Sequence, residues 1–219
     1  MLNIQETISL DPAIKSDLKL LQIFIILNSI SENSYLVGGC VRDMLLGKIP
    51  HDFDIVTDVT MDIMKEAFIG NGWRVDAVGE QFLILFISKD DIHFEIANFR
   101  KDSEYSDGRR PDKAEIGDLT TDSERRDFTI NSIYYNPMKG SFLDPNNGKK
   151  DIEDRLLRFI GRPEHRIKED HLRLWRLIRF KAQLGFEIEK ETFKALKRYF
   201  PEYYLKQNPA RVLQEILKM

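Results

Sequence analysis

A single cysteine in 219 residues, Cys40, excludes an internal disulfide and a cysteine metal cluster, and it fits a reducing compartment. No apolar run is long enough to cross a bilayer. The richest, Leu20 to Ile30, is too short and too interrupted, and the N-terminus lacks a basic segment leading into an apolar one. The expectation is therefore a cytoplasmic protein with no membrane contact. No repeat or low-complexity tract is visible, which argues against a solenoid. An excess of one charge is lacking overall, since the net is −3, but not locally. Residues 1–150 carry 17 basic and 25 acidic side chains, net −8, whereas residues 151–219 carry 16 and 11, net +5. Such a basic third suits a polyanionic partner and equally suits the ordinary scatter of a charged helical surface.

The length fits one large domain or two small ones with a sizeable core. The most informative stretch runs from Tyr35 to Asp58. Tyr35 to Val37 reads as a short buried strand that stops at Gly38-Gly39, where the backbone can turn tightly or admit a ligand. Val41 to Leu46 reads as helix. A second strand carries Asp52 and Asp54, whose spacing of two puts both carboxylates on one face while Phe53 points into the core. Two like charges so placed suit a divalent cation, and magnesium favours a few carboxylates with waters and phosphate oxygens. A solvated pair on an edge strand has the same spacing. The neighbouring Gly-Gly-x-x-Arg-Asp, with free backbone N–H groups and the Arg42 guanidinium, favours a nucleoside triphosphate with its metal and hence nucleotidyl or phosphoryl transfer.

The remaining chain reads in order as follows. Asp11 to Ile30 is an amphipathic packing helix opened by Asp-Pro, and Met61 to Ile69 is a second helix ending before Gly70. Arg74 to Val78, Phe82 to Ser88 and Ile92 to Phe99 read as a strand meander, on which Glu95 is either a third acid near the aspartates or an ordinary surface glutamate. Lys101 to Pro111, with Tyr105, Arg109 and Arg110, reads as a loop that covers a ligand or is simply solvated. Asp122 to Tyr135 is expected to be helical, with Arg125, Arg126 and Asp127 fanned around it, one arginine paired with an acid and another free for phosphate. From Asp151 onward the pattern is helical. Arg173, Arg176 and Arg179 form one stripe with Asp170 a turn earlier, and Leu174, Leu177, Ile178 and Ala182 pack opposite. Asp170 and Arg173 also fit a plain surface pair. Two last helices, Lys190 to Tyr199 and Pro209 to Met219, are separated by Pro201 and Asn208-Pro209, and the second stops without a C-cap, as in a short or truncated protein.

Together these segments resemble the bacterial class II tRNA nucleotidyltransferase and poly(A) polymerase family. The resemblance rests on Leu-Val-Gly-Gly-Cys-Val-Arg-Asp-Met-Leu-Leu-Gly, then His-Asp-Phe-Asp-Ile-Val-Thr, Gly-Arg-Arg-Pro, Arg-Arg-Asp-Phe-Thr-Ile-Asn-Ser, Asp-Pro-Asn-Asn-Gly-Lys-Lys-Asp-Ile and Glu-Asp-His-Leu-Arg-Leu-Trp-Arg-Leu-Ile-Arg-Phe. Where many CCA-adding relatives have Gly-Thr-Val this chain has Gly79-Glu-Gln-Phe, which leaves the end product open. The resemblance implies an α+β fold: a mixed nucleotidyltransferase sheet with helices at residues 1–140, followed by an all-helical neck at 141–219 that is incomplete at its C-terminus. It implies an enzyme adding CCA or part of it to tRNA 3′ ends from CTP and ATP, or a polymerase adding A residues from ATP alone. A truncated, non-catalytic nucleotide- or RNA-binding module is the reading from another class. The resemblance assigns Asp52 and Asp54 to catalysis and to Mg2+. Gly38, Gly39, Arg42, Arg125 and Arg126 would bind nucleotide phosphates. Asp170 and Arg173 would meet the base edge, with Arg176 and Arg179 lining the same site.

Overall fold

The computed structural model describes residues 18–76, 79, 82–103, 113–204 and 206–219. The expected cap at Asp11-Pro12, the end of the first meander strand, and Tyr105, Arg109 and Arg110 lie outside the described residues. The chain forms two compact units. The first holds the chain up to Lys101 with Ala114–Asp122 and Ile133–Asp144, and the second holds Asp102–Lys113, Ser123–Ser132 and Pro145–Met219, so the two interleave along the sequence. No helix among the described residues is long and apolar enough to cross a membrane.

In the first unit, helix α1 (Leu18–Asn28) precedes strand β1 (Ser34–Val37), helix α2 (Gly39–Leu45), strand β2 (Asp54–Thr57) and helix α3 (Met61–Gly70). Strands β3 (Arg74–Asp76), β4 (Ile84–Lys89) and β5 (Ile92–Asn98) form the expected antiparallel meander. Strands β6 (Arg100–Ser103) and β7 (Lys113–Ile116) make a separate two-stranded sheet, and helix α4 (Leu119–Arg125) precedes β8 (Tyr134–Asn136) and β9 (Ser141–Leu143). The main sheet has seven strands in the order β3-β4-β5-β2-β1-β8-β9, antiparallel throughout except for the parallel pair β2 and β5. All four β1 residues are buried, because both faces of the sheet are covered. On one face Tyr35, Val37, Val56, Phe99 and Tyr134 cluster with Leu119. Helices α1 and α3 pack on each other and on the sheet, contributing Leu20, Ile23, Phe24, Leu27, Met64 and Phe68. The buried Asp122 carboxylate accepts the Tyr134 hydroxyl proton at 2.7 Å.

The second unit contains a 3-10 turn (Thr129–Asn131), helix α5 (Gly148–Glu153), strand β10 (Leu156–Leu157), helices α6 (Pro163–Glu169) and α7 (Leu172–Leu184), strand β11 (Glu187–Ile188) and helices α8 (Lys190–Tyr203) and α9 (Pro209–Leu217). Phe128 stacks on Phe159 at 4.9 Å between ring centres and meets Phe180 edge-on at 5.4 Å, with Leu157, Ile167, Leu174, Leu177 and Phe186 buried in the same unit.

Four sequence expectations change. The helix expected over Asp122 to Tyr135 ends at Arg125, because the Asp127 side chain accepts the Phe128 N–H at 2.8 Å in competition with the helix ladder. Residues 127–136 are then buried whatever their spacing. The C-terminal portion is not all-helical, since β10 and β11 pair in parallel. Asp170 is not on a helix; extended there, it separates α6 from α7. Pro201 lies inside α8 without ending it. Its missing N–H removes one bond near the last turn, where Tyr199 stacks on Tyr203 and Phe200 on Tyr204. Helix α7 stops at Gly185, whose φ of 65° is the left-handed C-cap conformation.

Phe24 is 1 % exposed, so truncation leaves a cavity beneath the sheet. Phe24→Ala is expected to cost about 3–5 kcal/mol in denaturant unfolding.

Candidate functional site

In the first unit, β1 ends at Gly38, whose φ of 83° and ψ of −137° are in practice open to glycine alone. This turn delivers the chain directly into α2. Gly39 brings its backbone close to a guanidinium, since a Cβ there would lie 3.6 Å from Arg42 Nη2. Arg42 is 8 % exposed, and its Nε and Nη2 donate to Asp43 Oδ1 at 2.9 and 2.7 Å. The predicted phosphate ligand is thus fixed in place by its neighbour. Between them Cys40 is buried, its thiol donating to the Val37 carbonyl at 3.2 Å. Burial pushes that thiol up to about 12, so it stays neutral and unreactive beside the Asp54 backbone.

Asp54 is the first residue of β2 and Asp52 lies two residues before the strand; both are exposed, and Phe53 between them is half-buried. Across the sheet Asp54 stands opposite Val37 on β1 and Glu95 on β5. In a parallel pair, residues in register share a face, so Asp54 and the exposed Glu95 are side by side. Even so, no group of three or more His, Cys, Asp or Glu side chains among the described residues is placed to hold a metal ion. Asp52 and Asp54 therefore offer hard oxygen donors beside a glycine turn, without a complete protein cage.

In the second unit the arginine stripe points inward. Arg173 is 6 % exposed; its Nη1 donates to the Arg166 carbonyl at 2.8 Å and to Glu169 Oε2 at 2.7 Å, and its Nη2 donates to the Arg125 carbonyl at 3.1 Å. Arg176 binds Asp127, Nε to Oδ2 at 2.6 Å. Arg179 binds Glu215, Nε to Oε2 at 2.6 Å, and lies 4.0 Å over the Phe180 ring. Arg166, which sequence reasoning missed, donates to the carbonyls of Arg125 and Arg126 and to Glu169. Its pairing with Glu169 is an ordinary i,i+3 contact, and its other acceptors are backbone atoms forty residues away, which no spacing rule singles out. Arg125 and Arg126 are half-buried, and their carbonyls anchor this network.

Two buried acids respond oppositely to this setting. Burial raises the Asp127 carboxyl, but Arg176, the Phe128 N–H and Arg173 outweigh it and hold it below the usual carboxylate range. Arg176 is correspondingly held above its ordinary value, chiefly by Asp127. For Asp170 burial wins. Its carboxyl is pushed up, although the Leu172 N–H bonds Oδ1 at 3.0 Å and the charges of Arg173, Arg211 and Arg176 pull the other way.

The sequence pattern of the poly A polymerase head domain matches residues 34–158, more than half of the 219-residue chain. This chain belongs to that family. It is similar to the CCA-adding enzyme of Bacillus pumilus, with 41% identity over 166 residues, covering 75% of this chain and 40% of the relative. It is also similar to poly(A) polymerase I of Salmonella typhi, with 35% identity over 210 residues, covering 91% of this chain and 44% of the relative. Among solved structures it resembles the Bacillus stearothermophilus CCA-adding enzyme in complex with CTP at 29% identity and a TM-score of 0.80, covering 95% of this chain and 48% of that one. A tRNA nucleotidyltransferase complexed with a primer tRNA and an incoming ATP analog matches with a TM-score of 0.72 and 28% identity, over 89% of this chain and 55% of that one. The chain thus spans 40% to 55% of the length of these relatives.

Two predictions follow from the buried acids. A raised carboxyl means that the native state is penalised at pH values above the unfolded value of about 3.9, where Asp170 must ionise. Asp170→Asn should therefore raise the melting temperature at neutral pH, and the gain should vanish below that value. Asp127 is depressed instead, so its stabilisation is present above the unfolded value and lost as pH falls through the folded one. Asp127→Ala should cost about 2–4 kcal/mol at neutral pH in equilibrium unfolding, the range being reduced because the Arg176 side chain is 34% exposed.

Proposed function

We propose that this chain catalyses template-independent nucleotidyl transfer, adding CCA or part of it to tRNA 3′ ends from CTP and ATP. The observation that carries this reading is the exposed Asp52 and Asp54 at the start of β2, in a chain whose relatives include CCA-adding enzymes. In the reaction the RNA 3′-hydroxyl oxygen forms a bond to the α-phosphorus of the nucleotide, the α–β bridging oxygen leaves with pyrophosphate, and the hydroxyl proton is lost to solvent. Asp52 and Asp54 have the hard-oxygen chemistry that Mg2+ requires, with phosphate oxygens and water as the ligands that would complete its shell. When bound, Mg2+ supplies activation of the hydroxyl and neutralisation of the triphosphate.

The protein's own residues have separable tasks. The glycine turn at Gly38 and Gly39 lets backbone approach phosphate, and Arg42, braced by Asp43, keeps its charge beside that turn. Arg125 and Arg126 assist with the phosphates. Asp170 is the acceptor for the base, and Arg173, tied to Glu169 and to the Arg125 and Arg166 carbonyls, holds the segment that presents it. Arg176 and Arg179 line the same unit through Asp127 and Glu215. Such a site works in a reducing, magnesium-rich compartment, in keeping with a cytoplasmic protein. Addition of A residues alone is a second reading, supported by the similarity to poly(A) polymerase I over 91% of this chain.

The test is incubation of the purified protein with Mg2+, a tRNA lacking its 3′ CCA and each labelled nucleotide. Incorporation of C and then A, lost in EDTA and in Asp52→Ala, is the expected result, and incorporation of A alone selects the second reading. Labelling no greater than that of Asp52→Ala overturns both. Arg173→Ala should blur the choice between CTP and ATP more than it slows total incorporation.

A further inference from the structure

Helix α8 buries Thr192, Ala195 and Tyr199 and keeps a different set of rings toward solvent. Phe193, Lys197, Phe200 and Tyr204 follow one another at spacings of four, three and four residues, so they form one stripe, about 16 Å long at the helical rise. Phe193 is 42% exposed and Tyr204 39%. The C-terminal end of the stripe is braced. Tyr204 stacks on Phe200 with ring centres 5.4 Å apart, Trp175 of α7 meets Phe200 edge-on at 5.5 Å, and the Trp175 indole N–H donates to the Tyr204 carbonyl at 3.4 Å. At the other end the Lys197 ammonium lies 4.7 Å from the Phe193 ring centre. The charge beside these rings is one-sided. The two acids of α8, Glu191 and Glu202, are each paired, with Lys194 at 2.7 Å and Lys206 at 3.3 Å. Lys190, Lys197 and Arg198 are exposed and have no carboxylate partner among the described residues.

We propose that the outer face of α8 is a docking surface for a single-stranded RNA segment, whose bases stack on Phe193 and Tyr204 and whose phosphates meet Lys190, Lys197 and Arg198. It uses none of the residues assigned above to the nucleotide, and RNA as its occupant rests on the nucleotidyltransferase reading. A single exposed ring is ordinary, but rings in a row with unpaired cations among them are what unpaired bases on a phosphate backbone require. A duplex hides its base faces and would use the cations alone. A second copy of this chain, paired symmetrically through the same face, would set these cations against their own kind, which like charge opposes.

The experiment follows the fluorescence anisotropy of a labelled oligoadenylate titrated with the full chain in EDTA, which stops any transfer, and repeats it with an RNA duplex of the same length. Melting temperatures, and CTP binding in Mg2+, are measured alongside. The parent should bind the single strand more tightly than the duplex. Phe193→Ala should weaken the single strand by about 10-fold, the loss of one stacked base, and leave the duplex, the melting temperature and CTP binding unchanged. Phe193→Leu, which keeps an apolar side chain if the Ala variant fails to fold, should lose nearly as much. Replacing Lys190 and Lys197 by Gln should instead flatten the dependence of log affinity on log salt by roughly 0.7 per charge removed. Single-strand affinity unchanged in a folded Phe193 variant overturns the proposal, as does equal weakening of single strand and duplex with a lowered melting temperature, the signature of a purely structural ring. A parent that prefers the duplex also overturns it, and so does a parent dimer that Phe193→Ala splits in sedimentation, which gives the face to a second copy. A parent that binds the single strand as expected but joins nothing to tRNA refutes the transfer reading and leaves the α8 assignment standing.

Discussion

Asp127 is a carboxylate with little access to water, and the second unit is arranged so that it stays ionised. Arg176 neutralises it directly, and the Phe128 N–H satisfies another of its lone pairs. Around this pair Arg166 and Arg173 bind the carbonyls of Arg125 and Arg126, so three guanidinium groups from α6 and α7 are aimed at one short segment. Desolvating so many charges is favourable only as a set, because removing one leaves the others buried without counter-charge. The inward turn of the arginine stripe, the early end of α4 and the extended backbone at Asp170 all accompany this arrangement.

That interaction also explains which parts were legible in the sequence. The meander and the glycine turn before two acids could be read, since each depends on local spacing and on residue types with strong backbone preferences, whereas the α+β class came from the family resemblance. The segment 122–135 could not. Its apolar residues have a helical rhythm, but burial on all sides and the Asp127 side chain decide its conformation. Periodicity placed Arg173 and Asp170 on one helical face, whereas the chain breaks at Asp170 and Arg173 turns to backbone acceptors supplied from far away. Carbonyl acceptors carry no residue identity, so networks built on them leave almost no trace in a single sequence.

The first unit presents the opposite case, with charge left at the surface. Asp54 and Glu95 stand in register on neighbouring strands, with Asp52 two residues before β2. The buried Asp122, by contrast, accepts a hydrogen bond from the Tyr134 hydroxyl. An exposed acidic rim beside a glycine turn costs little while hydrated and becomes favourable once a cation and a triphosphate arrive.

Transfer of a nucleotide to RNA with loss of pyrophosphate, supported by these exposed aspartates, is tested most directly by counting pyrophosphate released against nucleotides joined to a tRNA lacking its 3′ end. One pyrophosphate per residue added, with both signals abolished together by Asp54→Asn, is the predicted result. Pyrophosphate released without elongation, or elongation that survives Asp54→Asn, would contradict it.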